Sequence, residues 1–189
     1  MKTIVITSQK GGSGKTTLAA HLAVEAERSG DGAAWLIDTD QQATLTTWHD
    51  RREAETPALF EVALPRLPQA LAQMETEGAA YCFIDTAPAH SEQNKGVIQL
   101  ADLVLIPVRP SPADLWAVSS TVELVKDAGK PLLFIRGELS DVLSGKTLDN
   151  MLKRVPGSEA VTVARVGHAP TLDEPEVQAA IDRLLAKVG

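Results

Sequence analysis

The chain is almost without cysteine. Cys82 is the only one among 189 residues, which excludes a disulfide framework, a cysteine-cluster zinc site and a cysteine-ligated iron–sulfur cluster within one chain. This scarcity also favours a reducing compartment, so we expect a cytoplasmic protein.

Long hydrophobic runs are also missing. No stretch approaches the roughly 20 consecutive apolar residues that a membrane-spanning helix needs. The first apolar run, Ile4–Ile6, is too short for the hydrophobic region of a secretory signal. We therefore expect neither a secretory leader nor a membrane partner.

Aromatic residues are scarce, and positive charge is in the minority. Aromatics make up 4% of the chain, and 25 acidic against 18 basic residues give a net charge of −7. The few aromatics argue against a base-stacking platform for single-stranded nucleic acid. The acidic balance argues against a bulk polyanion binder, although it leaves room for a local basic patch.

What is present alternates between short apolar runs and longer amphipathic segments. Nearly continuous apolar runs predict strands covered on both faces, at 3–7, 33–37, 81–84, 103–107, 132–135 and 160–164. Helical spacing predicts helices at 16–29, 65–77, 111–128 and 175–188. The alternation predicts an α/β fold with a doubly wound, mostly parallel sheet and helices on both faces. No long linker interrupts it, so we expect one domain over residues 1–189; the stretch 136–145 fits a loop or a helix start.

A glycine-rich loop follows the first predicted strand and opens the first predicted helix. Its candidate nucleotide-binding residues are Gly11, Gly12, Ser13, Gly14, Lys15, Thr16 and Thr17. Glycines let backbone N–H groups close on phosphate oxygens, and the start of a helix adds a favourable dipole. Lys15 can then reach the β- and γ-phosphates, while the Thr16 hydroxyl can bind Mg²⁺. The loop departs from the G-x-x-x-x-G-K-[ST] pattern at Gln9, where the first glycine would fall, and an ordinary strand–helix turn is the alternative.

Carboxylates end two of the predicted strands. Asp38 and Asp40 follow the second strand, and Asp85 follows the apolar run 81–84. At the carboxyl ends of parallel strands they face the crevice where α/β sheets bind ligands. A cradle, a cation and a positioned nucleophile are the parts that phosphoryl transfer from ATP requires, and water is the preferred acceptor because no second-substrate pocket is legible. The alternative for Asp38 or Asp40 is a cap on a helix around residues 44–51.

Three strings of residues resemble one family of ATPases. Lys10-Gly-Gly-Ser-Gly-Lys-Thr resembles the deviant Walker A motif of the ParA/MinD family, a branch of the P-loop NTPases. Asp38-Thr-Asp40 resembles its switch I sequence, although Gln41 stands where proline is usual. The strand ending in Asp85 resembles Walker B, whose aspartate holds a magnesium-bound water.

The resemblance assigns roles to individual residues. It implies that Lys10 reaches across a nucleotide-sandwich dimer to the partner's phosphates, that Asp40 orients the attacking water, and that Asp38 supports the magnesium network. The stretch around Pro110 resembles a segment that borders the nucleotide and the dimer interface. The chain resembles the short ParF-like plasmid partition ATPases, which lack an N-terminal helix-turn-helix domain, and we expect none here.

The family resemblance implies an ATP-gated switch with ATP and Mg²⁺ as cofactors. An ATP-bound homodimer would bind non-specific DNA, and a ParB-like or adaptor protein would stimulate its weak hydrolysis. The cycle would segregate or position a plasmid, chromosome region or protein cluster from a cytoplasmic, nucleoid-associated state. Candidate DNA contacts are the basic residues of the last third of the chain, each of which could instead be an ordinary solvated charge: Lys153, Arg154, Arg165, Arg183 and Lys187.

Three other interpretations stay open at this point. A MinD-like membrane-cycling ATPase would use the segment 175–188 as a surface helix, although its polar side mixes acids with bases and its apolar side has no Trp or Phe. An ATP-dependent small-molecule ligase of the same fold would show substrate-dependent turnover. A non-catalytic dimerising module follows if Gln41 disables switch I. Arg136 stands where many relatives carry an adenine-reading asparagine, so selectivity for ATP rests on family likeness.

Overall fold

The computed structural model describes residues 1–30, 32–88, 92–109, 111–167 and 170–187. Its backbone contacts divide the chain into two compact units, Met1–Val108 and Arg109–Gly189. Each unit is described by itself below, and the single domain over residues 1–189 stays a prediction.

The first unit contains a five-stranded parallel sheet. Its strands are β1 (Lys2–Ile6), β2 (Ala34–Asp38), β3 (Ala58–Leu59), β4 (Tyr81–Asp85) and β5 (Leu103–Leu105). Their order across the sheet is β3-β2-β4-β1-β5, and every neighbouring pair is parallel. The order reverses beside β1, which lies between β4 and β5. In sheets of this kind, ligands bind outside the carboxyl ends of the strands at that reversal.

Four helices connect these strands. They are α1 (Lys15–Arg28), α2 (Thr44–Asp50), α3 (Leu67–Thr76) and α4 (Glu92–Leu100), with a 3₁₀ turn at Leu64–Arg66. The buried face of α1 consists of Ala19, Ala20 and Ala23, which pack in one cluster with Ile4 and Phe83 of the sheet. Small side chains bring the helix close to the sheet, and this fixes the position of the loop that precedes α1.

Among its described residues, the second unit contains two parallel strands and three helices. The strands are β6 (Leu133–Gly137) and β7 (Glu159–Val163), and the helices are α5 (Pro112–Asp127), α6 (Gly145–Arg154) and α7 (Pro175–Leu185). Helix α7 contacts both strands and buries Val177, Ala180 and Leu184. Its apolar face is therefore covered by this unit, which accounts for the amphipathic pattern without a membrane surface.

The predicted doubly wound, mostly parallel α/β fold is confirmed. All six predicted strands and all four predicted helices are present, with ends that differ by at most three residues. The predicted strand 103–107 ends early, at Leu105, because Pro107 cannot donate to a ladder. The stretch 136–145, interpreted as a loop or a helix start, contains both, because Arg136 and Gly137 extend β6, a loop follows, and α6 begins at Gly145.

Three elements were not predicted from the sequence. Strand β3 has only two residues, and α4 has apolar residues only towards its end; in α6 the spacing of Leu148, Met151 and Leu152 was an available signal. Helix α2 matches the helix that was considered as a capping partner for Asp38 or Asp40.

Three further features bear on function. Cys82 is buried in β4, and burial raises the pKa of its thiol to about 12, so it is a core residue rather than a reactive one. Trp116 on α5 is 78% exposed. In the described ranges, no helix is both long enough and apolar enough to cross a membrane.

Candidate functional site

The glycine-rich loop joins the carboxyl end of β1 to the start of α1. Gly14 is the N-cap of α1 and has a left-handed conformation (φ 95°), which glycine adopts without steric cost. No side chain caps the first turn, and no acidic residue lies in it. Because the first N–H groups of a helix have no intrahelical acceptor, this helix start favours a bound anion.

Lys15 is a buried lysine at the first position of α1. Its side chain and backbone together are only 7% exposed. Within the described ranges, no ion pair with a carboxylate compensates its charge. Lys15 interacts electrostatically with Asp85 at longer range, but a buried ammonium without a direct ion pair is costly, and a phosphate group at the start of α1 would supply that contact.

Thr16 and Asp85 connect the loop to β4. The Thr16 hydroxyl donates a 2.5 Å hydrogen bond to Asp85 Oδ2. Asp85 is 1% exposed, and its other oxygen, Oδ1, has no hydrogen-bond partner in the described part of the chain; the same holds for the buried hydroxyl of Ser13. One orphaned oxygen in the loop and one at the end of β4 indicate that the site is built for a group outside the chain.

The pKa of Asp85 reflects its buried and acidic surroundings. Burial raises the pKa of Asp85 to about 6, and the nearby charges of Asp38 and Asp40 push it in the same direction. The Thr16 hydrogen bond and the charge of Lys15 act against them. A cation beside Asp85 would reverse the balance and favour the carboxylate.

The donor set suits Mg²⁺. The Thr16 hydroxyl and Asp85 offer the hard oxygen atoms that this ion prefers. In the described ranges, no three acidic, histidine or cysteine residues form a site that could hold a metal by themselves. That is expected of Mg²⁺ in nucleotide sites, since it takes most of its ligands from phosphates and water.

Asp38 acts as a cap in this structure. Its Oδ1 accepts a hydrogen bond from the Asp40 N–H at 3.0 Å, and its Oδ2 accepts from the Thr46 N–H at 3.1 Å and from the Thr46 hydroxyl at 3.3 Å. Thr46 lies in the first turn of α2, so Asp38 ties β2 to α2. The sequence alternative of a helix cap therefore describes its contacts, while its support of Mg²⁺ stays a prediction.

Asp40 lies in the turn that leads to α2. Its Oδ1 accepts from the Gln42 N–H at 3.0 Å, an Asx turn, and its second carboxylate oxygen is not used by this bond. Gln41 is exposed in the same turn. Asp38 and Asp40 line a cavity of about 490 Å³ together with Glu61. Glu61 was missed by sequence reasoning, since it follows a two-residue strand that leaves no pattern.

Two threonines hold the strand ends together. The Thr39 hydroxyl donates to the Asp85 carbonyl, and the Thr86 hydroxyl donates to the Ile6 carbonyl, both at 2.9 Å. These bonds join the carboxyl ends of β1, β2 and β4. The predicted phosphate loop and all three predicted carboxylates are thus brought to one edge of the sheet.

The remaining predicted nucleotide contacts are less enclosed. Lys10 lies in an exposed turn, and no hydrogen bond or ion pair holds its side chain to the described residues. Gly11 and Thr17 are also exposed. Pro110 lies outside the described residues, so its predicted contact with the nucleotide is not placed.

Residues on either side of Pro110 form an ion pair that the sequence did not reveal. The Arg109 guanidinium donates to Asp114 at 3.2 Å, and the Ser111 hydroxyl donates to the same carboxylate at 2.5 Å. Ser111 also accepts from the Asp114 N–H as the N-cap of α5. The Ser-x-x-Asp spacing before a helix was the available signal, because it matches a capping box.

The predicted DNA-contact residues differ in their surroundings. Arg183 and Lys187 both pair with Glu159, at 3.3 and 2.6 Å, so part of their charge is compensated. Lys153 and Arg154 are exposed in the last turn of α6, where cations favour the helix dipole. These roles in DNA binding stay predictions.

Arg165 is the fifth of these residues and has a left-handed backbone (φ 60°). Its N–H donates to Glu138 Oε2. This contact explains the local turn and leaves its predicted DNA contact untested.

A family model described as VirC1 protein matches residues 1–134 of the chain. Among characterised proteins, the maintenance of carboxysome distribution protein A of Halothiobacillus neapolitanus is 31% identical over 134 residues, covering 68% of this chain and 60% of that protein. Protein ParA of Rhizobium radiobacter is 30% identical over 129 residues, covering 67% of this chain and 57% of that protein. The chain thus spans less than two thirds of the length of these relatives.

Solved structures agree with the fold at lower identity. Apo McdA from Cyanothece is 20% identical with a TM-score of 0.62, over 100% of this chain and 93% of that one. A plasmid partition protein from Borrelia burgdorferi B31 bound to AMPPNP is 19% identical with a TM-score of 0.60, over 99% and 97%. The pNOB8 ParA bound to nonspecific DNA is 16% identical with a TM-score of 0.60, over 99% and 95%.

Proposed function

Because the chain belongs to the VirC1 protein family, we propose that it is an ATP-hydrolysing molecular switch of the ParA type. The observation that carries the proposal is the phosphate loop of the first unit. There, a buried Lys15 that forms no ion pair with the described residues lies at an uncapped helix start, next to the Thr16–Asp85 pair with its orphaned oxygen. Each of these three features would be satisfied by a nucleotide triphosphate with a divalent cation.

The proposed chemistry is the transfer of the γ-phosphoryl group of ATP to water. The N–H groups at the start of α1 and the Lys15 ammonium hold the phosphates and offset their negative charge. Thr16 and Asp85 would hold Mg²⁺, which would supply further positive charge to offset the negative charge of the phosphates. The free oxygen of Asp40 orients a water for in-line attack on the γ-phosphorus, and the bond to the ADP oxygen breaks as the new P–O bond forms.

The proposed switch acts as a nucleotide-dependent homodimer. Lys10 is exposed and unpaired within the described ranges, as a residue that completes a partner's phosphate site would be. The solved pNOB8 ParA carries nonspecific DNA, and we extend that property to the ATP-bound dimer of this chain. A ParB-like or adaptor protein would stimulate a weak ATPase and release the dimer from the nucleoid.

The cargo belongs to the same proposal. The relatives include a ParA and a protein that maintains carboxysome distribution. A plasmid, a chromosome region or a protein cluster in the cytoplasm is therefore the class of object that this chain would segregate or position.

Light scattering on the Asp40→Ala variant tests the switch. We expect a mass near 20.1 kDa with ADP and about twice that with ATP and Mg²⁺, because loss of the water-orienting oxygen traps the ATP dimer. The ATP dimer should co-elute with duplex DNA at low salt. Equal masses with ADP and with ATP and Mg²⁺ would contradict the proposal.

Two variants serve as controls for this experiment. Lys10→Ala should bind ATP with unchanged affinity yet stay monomeric. Lys15→Ala should lose about 100-fold in ATP affinity, since a hydrogen-bonded charge contact contributes up to about 3 kcal/mol. An ATP dimer that binds anionic vesicles and does not bind DNA would favour a membrane-cycling ATPase instead. ATP turnover that requires a small-molecule acceptor would favour a ligase.

A further inference from the structure

The second unit contains a lysine-lined cavity at the amino ends of its two strands. The cavity has a volume of about 370 Å³ and lies between the segment that enters β6 and the segment that enters β7. Lys126, Lys130 and Lys187 line it, and no acidic residue does. They come from the last turn of α5, from the segment before β6 and from the end of α7, so the fold alone brings them together.

The charges around the cavity do not cancel. Lys187 donates to Glu159 Oε1 at 2.6 Å, but Glu159 is shared with Arg183 at 3.3 Å, so the three groups together carry one positive charge. Within the described ranges, neither Lys126 nor Lys130 forms an ion pair. The lining of the cavity therefore carries an excess of positive charge on a chain whose net charge is −7.

The polar groups of the cavity suit a polyanion better than a small phosphate compound. Sites for a single phosphate group use converging backbone N–H groups or a helix N-terminus. Here the cavity lies beside the C-terminal end of α5, and its lining includes Pro131 and Pro156, which have no N–H to donate. What remains are lysines, which act as point charges without fixed geometry and are typical of sequence-independent contacts to phosphodiesters.

We propose that Lys126 and Lys130, with Lys187 beside them at this cavity, bind the phosphate backbone of duplex DNA. The inference rests on the proposed function and gives its DNA contact a location in the second unit. It changes the expected residue set, because Lys126 and Lys130 were not among the sequence candidates, and of the two candidates that pair with Glu159 only Lys187 lines the cavity.

The test compares DNA affinity as a function of salt. The full-length Lys126→Gln/Lys130→Gln variant, with ATP and Mg²⁺, is titrated onto a labelled random-sequence duplex between 50 and 200 mM salt. We expect affinity to fall about tenfold per lysine at the lowest salt. The slope of log K against log salt should become shallower by about 1.8 for each protomer bound, since each phosphate contact contributes about 0.9.

Two further variants make the result specific to this cavity. Lys2→Gln/Lys146→Gln removes the same charge from exposed positions that do not line the cavity, and it should keep most of the affinity and the slope. Lys126→Arg/Lys130→Arg keeps the charge and should bind as the wild type does. Equal losses in the two Gln variants, or no loss in either, overturn the proposal.

The remaining outcomes separate this proposal from the proposed function. If the wild type binds DNA only with ATP and the Lys126→Gln/Lys130→Gln variant (the cavity variant) binds it equally well, the proposed location is wrong. The proposed ATP-dependent switch is then unaffected. Wild-type protein that dimerises with ATP and never binds DNA overturns the location together with the DNA step. A third outcome is that the wild type binds inorganic phosphate saturably and the cavity variant does not, while both bind DNA with the same affinity. That outcome overturns the proposal and indicates a small-anion site.

Discussion

Asp85 is a buried carboxyl group whose surroundings disfavour its ionised form. Because burial raises its pKa to about 6 from 3.8, the folded state holds a proton there that the unfolded chain releases. The stability of the nucleotide-free protein should therefore fall as pH rises from about 4 to about 6. At pH 7.5, Asp85→Asn should be more stable than the wild type by up to about 3 kcal/mol, at about 1.4 kcal/mol per pKa unit, as measured by urea unfolding.

The same substitution should have the opposite effect once ligand is added. ATP and Mg²⁺ should stabilise the wild type far more than Asp85→Asn, since the amide cannot pair with the cation. If Asp85→Asn is less stable than the wild type without nucleotide, the folded protein stabilises the ionised carboxylate of Asp85. That result would contradict its raised pKa.

At the scale of elements, α2 depends on a residue outside itself. Asp38 on β2 accepts both the N–H and the hydroxyl of Thr46, while the N-cap position of α2, Ala43, offers no side-chain acceptor. Asp38→Ala should therefore destabilise the nucleotide-free protein by about 1–2 kcal/mol, the usual cost of a lost cap. Asp38→Asn, which keeps one oxygen acceptor, should lose less.

Thermal unfolding without metal separates the two roles of Asp38. A capping residue matters in the absence of Mg²⁺, and a residue that only supports the ion does not. Asp40→Ala is the matched control, because Asp40 accepts one local bond from Gln42 and should change the melting temperature less. Equal melting temperatures for Asp38→Ala and the wild type without metal would reject the capping role.

At the scale of the whole molecule, the proposed nucleotide and DNA contacts lie in different units. Hydrogen exchange on the full chain should therefore show two separate footprints. ATP and Mg²⁺ should protect residues 8–17 and 38–46, and DNA should add protection at 126–132 and 155–158. DNA protection confined to residues 1–108 would contradict this division.

The sequence predicted most of the nucleotide site because its signals are local. Lys15 and Thr16 stand next to each other in a loop between a strand and a helix, and Asp85 ends an apolar run, so residue type and position were sufficient. The bond from Thr46 to Asp38 spans eight residues across a turn. Helix α2 was considered only as an alternative, so the capping contact was not favoured.

Contacts between segments that are distant along the chain could not be predicted from the sequence. Glu159 pairs with residues 24 and 28 positions further along the chain, and no spacing rule reports such pairs. Lys126 and Lys130 share a cavity with Lys187 only because two strands lie side by side. Surface charges follow no periodic pattern along the sequence. The sequence therefore indicated single basic residues as DNA contacts and did not predict the cavity.

The exposure of Trp116 gives the protein a built-in optical reporter. Trp35 is partly buried and packs against Phe60, and Trp48 is partly buried beneath the Arg52 guanidinium. An aqueous quencher such as iodide will therefore reach the Trp116 indole, which is 78% exposed, more readily than the other two. Any molecule that covers the outer face of α5 will change the quenching of the intrinsic emission, with no label attached.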